Sequence, residues 1–279
     1  MPEGGLLCVH AHPDDEAIAT GGVLIRATED GHHTAVVTCT GGEHGEIAGA
    51  GIDPSLSPEQ LRELRARELA EALRTLGADG PRMLGFVDSG MMGTSTNGAA
   101  GSFWQTPLDA AVEPLVAHIR ELRPEVLVTY DAFGVYGHPD HIQTHRVAVA
   151  AVHAAACAAL YPELGAHWQV PKAYFATMSR SAITRCNVEL LGLGLPSPFS
   201  EELNVGTPDS RVTCTVDVRN QLERKLAALR AHHSQLGPDS LFLNIPDDIA
   251  PVLLGTEMFE RWHCDVAAPD VETDLFAGL

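Results

Sequence analysis

Two short segments carry the same uncommon chemistry: His-Pro-Asp-Asp at residues 12–15 and His-Pro-Asp-His at residues 138–141. In the first, Asp14, Asp15 and Glu16 are consecutive, and three adjacent carboxylates repel one another unless a cation sits among them. A metal ion is the simplest cation. Two histidines and one aspartate with an open coordination position make a hydrolytic zinc site, in which the metal lowers the pKa of bound water from ~15.7 towards ~7. His12 and Asp15, three residues apart across a turn set by Pro13, can converge on one ion as the chain enters a helix, and His141 can supply the third ligand. Asp14 then stands beside the metal but not on it, where a general base must be to accept a proton from water. His138 is left to face the substrate, with Asp140 placed to hydrogen-bond an imidazole and fix its tautomer.

Each segment alone could be a helix-capping turn; together, at equivalent strand exits, they define a metal site. His145 competes as a ligand, because His141 and His145 share a helix face at i, i+4. The residues between them, Ile142, Gln143 and Thr144, include no catalytic glutamate, so His145 reads as a supporting group. His10, inside a strand, reads as buried and hydrogen-bonded. His32, His33, His232 and His233 read as surface groups. A sugar- or metal-binding protein without turnover is the alternative from another class, and an intact base and acid beside an open metal position argue against it.

The elements that position these residues follow from periodicity. LLCVH, a helix through EAIATGGVLIRATEDG, TAVVTCT, the helix SPEQLRELRARELAEALRTLG, and RMLGFV read as β-α-β-α-β, with glycines closing the helices. A glycine-rich loop at residues 89–103 leads to a helix near PLDAAVEPLVAHIRELR, the strand EVLVTY, and a helix beginning in HPDHIQTH. Apolar strands separated by helices imply a Rossmann-like parallel sheet covered on both faces. The first strand is not followed by GxGxxG, so dinucleotide binding has no support. Beyond residue 160, PKAYFATM and RVTCTVDV read as strands, NQLERKLAALRAHHSQL as an amphipathic helix, and residues 186–210 as loop. The expected organisation is a catalytic core over residues 1–160. A smaller α+β extension, residues 161–279, packs on it as one compact unit and lines the substrate pocket.

Composition narrows the class. The chain has 279 residues, of which 45% are hydrophobic, enough for a substantial core. It has no apolar run of membrane-spanning length, and its first residues lack a basic secretory leader, so a cytoplasmic protein is expected. The net charge of −19 disfavours a nucleic-acid or anionic-membrane partner. The six cysteines are dispersed without CxxC pairs and read as free thiols. A homo-oligomer is left open.

AHPDDE followed far downstream by GHPDH resembles the paired signature of the zinc-dependent LmbE-like (PIG-L) deacetylases, which remove acetyl groups from N-acetylglucosaminyl compounds. VVTCTGGEHGE, DSGMMGT, TYDAFGVYGHPDHIQTH and the terminal ETDLFAGL look similar to the mycothiol-biosynthesis branch, which acts on N-acetylglucosaminyl inositol. The resemblance implies zinc on His12, Asp15 and His141, Asp14 as base, His138 with Asp140 behind it as electrophilic or acid partner, and Tyr136 as a stabiliser of the tetrahedral intermediate. It also implies Arg65 and Asp88 as sugar or inositol contacts. Iron(II) could occupy the same ligands. Mycothiol S-conjugate amidases share both clusters, but in their pattern a lysine follows the first motif, where this chain has EAIATGG. A deacetylase of a secondary-metabolite glycoside remains a second alternative.

Arg65 can also be read from periodicity. Leu61, Leu64, Leu69, Ala72, Leu73 and Leu76 form the buried stripe of their helix, and Arg65 and Glu68 fall inside it. Charged groups there are costly unless they pair with each other at i, i+3 or face a polar site.

Overall fold

The computed structural model describes residues 4–194, 205–238, 240–246 and 249–279. β1 (Leu6–His10) leads into α1 (Asp15–Ala19) and α2 (Gly21–Glu29), and β2 (Thr34–Thr40) into α3 (Pro58–Leu76). β3 (Asp79–Phe86) leads into α4 (Leu108–Leu122), and β4 (Val126–Tyr130) passes through the single turn α5 (Gly134–Gly137) into α6 (Pro139–Ala156). β5 (Lys172–Thr177), α7 (Arg180–Gly192), β6 (Cys214–Asp217), α8 (Leu222–Ala231), α9 (Leu241–Asn244), α10 (Ala250–Leu254) and β7 (Thr256–Cys264) follow.

Among the described residues, seven strands join one sheet in the order β3-β2-β1-β4-β5-β7-β6. β1, β2 and β4 are buried at every residue, as strands covered on both faces must be. Along β1 the pleat divides the core. Leu6 and Cys8 pack towards α2, α3 and α8, whereas Leu7 and Val9 pack towards α4 and α6. The chain runs from β1 outward to β2 and β3, then returns to place β4 on the other flank of β1. That reversal opens a crevice beyond the carboxyl ends of β1 and β4, where ligands of open α/β sheets bind. His12–Asp15 leaves β1 there and His138–His141 leaves β4 there.

Local signals explain the boundaries of α3. Ser57 Oγ accepts from Gln60 N at 3.2 Å, Gln60 Oε1 accepts from Ser57 N at 2.9 Å, and Gly77 closes the helix at φ 82°.

Three local expectations change. The single helix expected after β1 is two, broken at Thr20 (φ −137°), whose hydroxyl meets His10 Nε2 at 2.9 Å and donates to Glu16 O. Just beyond the break, a Cβ on Gly22 would lie 2.5 Å from that of Val218, so only glycine lets α2 approach so closely. The loop expected over residues 186–210 begins instead within α7; its residues 195–204 lie outside the described residues. The sheet is mixed: β7 runs antiparallel between β5 and β6. Glu257, Glu260 and Arg261 make TEMFERWHC look unlike a sheet interior. Glu257 is buried because its carboxylate accepts from Gly22 N (2.7 Å) and Val23 N (2.8 Å) at the start of α2 and from Lys225 Nζ (2.6 Å).

All six cysteines are free. Among the described residues no helix is long and apolar enough to cross a membrane.

Candidate active site

β1 and β4 deliver their exit segments to one buried cluster. A nitrogen from each of His12, His138 and His141 lies within 4.8 Å of the others. Asp15 Oδ2 is 3.5 Å from His12 Nδ1, and Asp15 Oδ1 is 3.4 Å from His141 Nε2, so this carboxylate spans the two imidazoles. The other edge of His12 faces acids too: Nε2 is 3.3 Å from Asp140 Oδ2 and 3.8 Å from Asp88 Oδ1. Neither ring nitrogen of the buried His141 has a hydrogen-bond partner. Unpartnered imidazole nitrogens beside a carboxylate form a donor set that suits a divalent transition metal. The residues present therefore fit a metal.

The electrostatics agree. Burial works against a charge on His12, but Asp140 and Asp15 outweigh it and hold its pKa well above the usual histidine range. Carboxylates that stabilise an imidazolium would equally stabilise a divalent cation between them. Burial likewise opposes ionisation of Asp15, yet His141 and His12 keep it well below the ordinary carboxylate range. His141, pushed down by burial to about 4, is neutral at pH 7, as a ligand must be. Tyr130, which ends β4, stacks on His141 with ring centroids 4.2 Å apart. Its hydroxyl accepts from Ala11 N at 2.9 Å and lies 3.2 Å from His10 Nδ1. Tyr130 was not singled out from sequence; its place at the carboxyl end of β4 was the available signal.

Asp14 departs from its neighbours in conformation. At φ 117° and ψ −30° it occupies a region that non-glycine residues rarely adopt. Its carboxylate accepts from an Arg65 terminal nitrogen at 3.1 Å. Burial pushes its pKa up to about 6, against the pull of Arg65. Arg65 and Glu68 do not pair along the helix. Arg65 donates to Gly42 O (2.7 Å) and Pro13 O (2.5 Å) as well as Asp14, and Glu68 accepts from Ser234 N (2.9 Å) and Ser234 Oγ (2.6 Å). Both are 3% exposed, so Arg65 meets the pocket through Asp14 and its loop rather than with a free guanidinium.

His138 caps α6: its Nδ1 accepts from Asp140 N at 3.1 Å, so the proton of the neutral ring sits on Nε2. Burial, then the charges on His12 and His141, lower its pKa to about 3. The Asp140 carboxylate does not stand behind His138, as the sequence suggested. It turns to His12 and accepts from Ser89 N at 2.9 Å, because Asp140 lies in the first turn of α6 and points across to β1. Asp88 accepts from Gly90 N (2.7 Å) and His44 N (3.0 Å). Burial opposes its charge, but His12 and these N–H groups hold it down at about 2. Tyr136 is the exposed member at 41%, its ring 5.0 Å from that of His141 and 6.2 Å from that of His138. Its loop packs tightly over the cluster: Gly134 sits at φ 65°, and a Cβ there would lie 2.5 Å from His141 Cβ. His145 donates from Nδ1 to Tyr130 O (2.9 Å), away from the cluster.

His232 corrects an expectation. It is fully buried, and its Nε2 meets Glu16 Oε1 at 2.7 Å. His233 is the exposed neighbour, 2.8 Å from Glu68.

The chain belongs to the family described as GlcNAc-PI de-N-acetylase (PIG-L), whose profile matches residues 7–152, a family of deacetylases. Over 294 residues it is 42% identical to the 1D-myo-inositol 2-acetamido-2-deoxy-alpha-D-glucopyranoside deacetylase of Geodermatophilus obscurus, with 100% of this chain and 99% of the relative covered. Among solved structures it is similar to the N,N'-diacetylchitobiose deacetylase of Pyrococcus horikoshii, with a TM-score of 0.62 and 22% identity over 92% of this chain and 83% of that one. It is also similar to the 4-carboxy-2-hydroxymuconate hydratase of Pseudomonas putida, with a TM-score of 0.65 and 17% identity over 96% of this chain and 99% of that one. At these identities the two structures show the fold alone, and their differing names underline that this fold does not dictate one reaction.

Proposed function

We propose that the protein hydrolyses the acetamide of an N-acetylglucosaminyl conjugate, N-acetylglucosaminyl inositol of mycothiol biosynthesis above all, releasing acetate and the free amine. The observation that carries the reading is the meeting of His12, Asp15 and His141 with Asp14 held beside them by Arg65. The full-length kinship to relatives named for that inositol glycoside supports the substrate. His12, Asp15 and His141 would hold zinc, or iron(II) in its place. When bound, the metal supplies the positive charge that acidifies water and polarises an amide carbonyl.

The chain's own groups divide the remaining work. Asp14, a carboxylate whose pKa is about 6, accepts the proton of the attacking water near neutral pH. His138, with Nδ1 occupied by the Asp140 N–H, presents Nε2–H as a donor to the developing oxyanion. Tyr136 offers a second donor from the mouth; although the residue as a whole is exposed, desolvation on its cluster side and then the charges on Asp15, Asp14 and Asp88 raise its pKa, so the phenol keeps its proton. Because His138 serves as a neutral donor, Asp14 returns the proton it took from water to the leaving amine. Asp140 orients His12, and Asp88, 3.8 Å from the same imidazole, would contact the sugar.

The test is acetate release from N-acetylglucosaminyl inositol by the zinc-loaded protein, with and without chelator. Release that chelation abolishes and zinc restores is expected. Hydrolysis confined to another N-acetylated glycoside would leave the mechanism standing and remove the substrate, whereas chelator-insensitive turnover would remove the metal.

A further inference from the structure

The sequence places Glu16 in the first turn of a helix, where a carboxylate is favourable even when solvated. In the structure Glu16 is completely buried. A buried carboxylate is costly without a partner, and its partner is the equally buried His232, whose Nε2 lies 2.7 Å from Glu16 Oε1. The two residues are 216 apart in sequence. The second oxygen, Glu16 Oε2, accepts from the backbone N–H of Asp14 at 3.0 Å. The chain thus devotes a buried ion pair to one amide, and that amide belongs to the residue at φ 117°. Such backbone geometry in a non-glycine residue is strained and persists only where the surroundings over-determine it.

Both restraints on Asp14 lead back to α3. Arg65 grips its carboxylate and Pro13 O directly. Glu68, three residues on, accepts from Ser234 and pins the segment that carries His232. His232 then holds Glu16, and Glu16 holds the Asp14 amide.

We propose that Glu16 and His232 are a positioning pair that fixes the strained backbone of Asp14 and so aims its carboxylate at the water to be deprotonated. The pair touches neither substrate nor reacting atoms. The proposal rests on the reading of Asp14 as the general base, and it makes the segment after α8 part of the machinery around a residue of the β1 exit.

The experiment compares the full-length, zinc-loaded wild type with His232→Ala, His232→Gln, Glu16→Ala and Glu16→Gln. Displacing a catalytic group by about 1 Å can cost ~10²-fold in rate. The alanine variants are therefore expected to lose about that factor in kcat, with KM within about threefold of wild type and zinc stoichiometry unchanged. His232→Gln, whose amide can still donate to Glu16, should recover about tenfold. A second measurement does not depend on turnover: exchange of the Asp14 amide hydrogen, protected in the wild type, should accelerate about tenfold or more in His232→Ala, while amides of β1 and β4 keep their protection. A lower Tm with unchanged kcat would overturn the proposal by leaving the pair a purely structural role. A raised KM at constant kcat would make it a substrate contact, and lost zinc would tie it to Asp15; either result overturns it. If Glu16→Ala does not fold, His232→Gln and the exchange measurement decide. If the wild type releases no acetate, the deacetylase reading fails by itself. The Asp14 amide then still supports the pair by accelerated exchange or refutes it by unchanged exchange.

Discussion

Replacing Arg65 with methionine removes a guanidinium of similar reach that is 3% exposed and bonded to three acceptors. Two of these, Gly42 O at 2.7 Å and Pro13 O at 2.5 Å, lie in buried contacts and would lose their donor. An unsatisfied buried acceptor costs about 1–3 kcal/mol, so the two together predict a loss of about 2–6 kcal/mol. The third, the Asp14 carboxylate, keeps 21% side-chain exposure and can turn to water, so it adds little to stability. Against a typical total of about 5–15 kcal/mol, the variant should fold but sit near the margin. Arg65→Lys should fall between the two, since one ammonium cannot span Gly42 O and Pro13 O as a planar fork does. Urea unfolding at pH 7 and fixed zinc concentration measures the stability change, and kcat for acetate release measures the effect on Asp14, expected at about 10²-fold. Arg65→Met with wild-type stability would show that the two carbonyls do not depend on Arg65. A destabilised Arg65→Met with unchanged kcat would break the inferred link from Arg65 to Asp14.

The remaining predictions concern the metal, a buried ion pair and pH. Asp14→Asn should lower turnover by at least ~10²-fold while zinc, measured after dialysis, stays bound; Asp15→Ala and His141→Ala should lose the metal itself. Zinc loss from Asp14→Asn would mean that ligand and base have been exchanged. Lys225→Met strands Glu257 in the interior with only its two N–H donors, and equilibrium unfolding should register a loss of about 3–5 kcal/mol; a loss under about 1 kcal/mol would show that the start of α2 alone satisfies that carboxylate. Burial, reinforced by Arg82, lowers the pKa of His118, and Arg82 lies 3.4 Å from its Nδ1, which must be unprotonated to accept. The unfolded chain then holds the extra proton below ~6.5, so stability should fall on acidification through that window, and His118→Asn should flatten the fall measured between pH 7 and 5.

Much of the scaffold was legible because its signals are local. LLCVH, TAVVTCT and EVLVTY are apolar runs that only a doubly covered sheet accommodates, and Ser57, Gln60 and Gly77 bound α3 by capping chemistry. β7 was hidden because Glu257 is satisfied by α2 and α8, Glu260 accepts from Arg211, and Arg261 meets Pro269 O and Glu272, all outside the strand. The break between α1 and α2 was hidden for the same reason: it depends on Val218 and His10 packing against it. His232 read as a surface group because HHSQ looks like a helix end, and only the buried Glu16 explains why it lies inside.

By itself the sequence determined the candidate chemistry: imidazoles and carboxylates at two strand exits, repeated as HPD, in numbers that suit a metal and a base. Ligand type and local spacing are properties of residues within a turn of one another, so they can be read along the chain. The tertiary structure decided how those groups face each other. Strand order sets β4 beside β1, and therefore brings His141 to Asp15 at 3.4 Å and turns Asp140 to His12 instead of His138, while the packing of α3 and α8 draws Arg65 and His232 around Asp14. Those distances depend on packing between segments 51 to 216 residues apart, where no periodicity reaches.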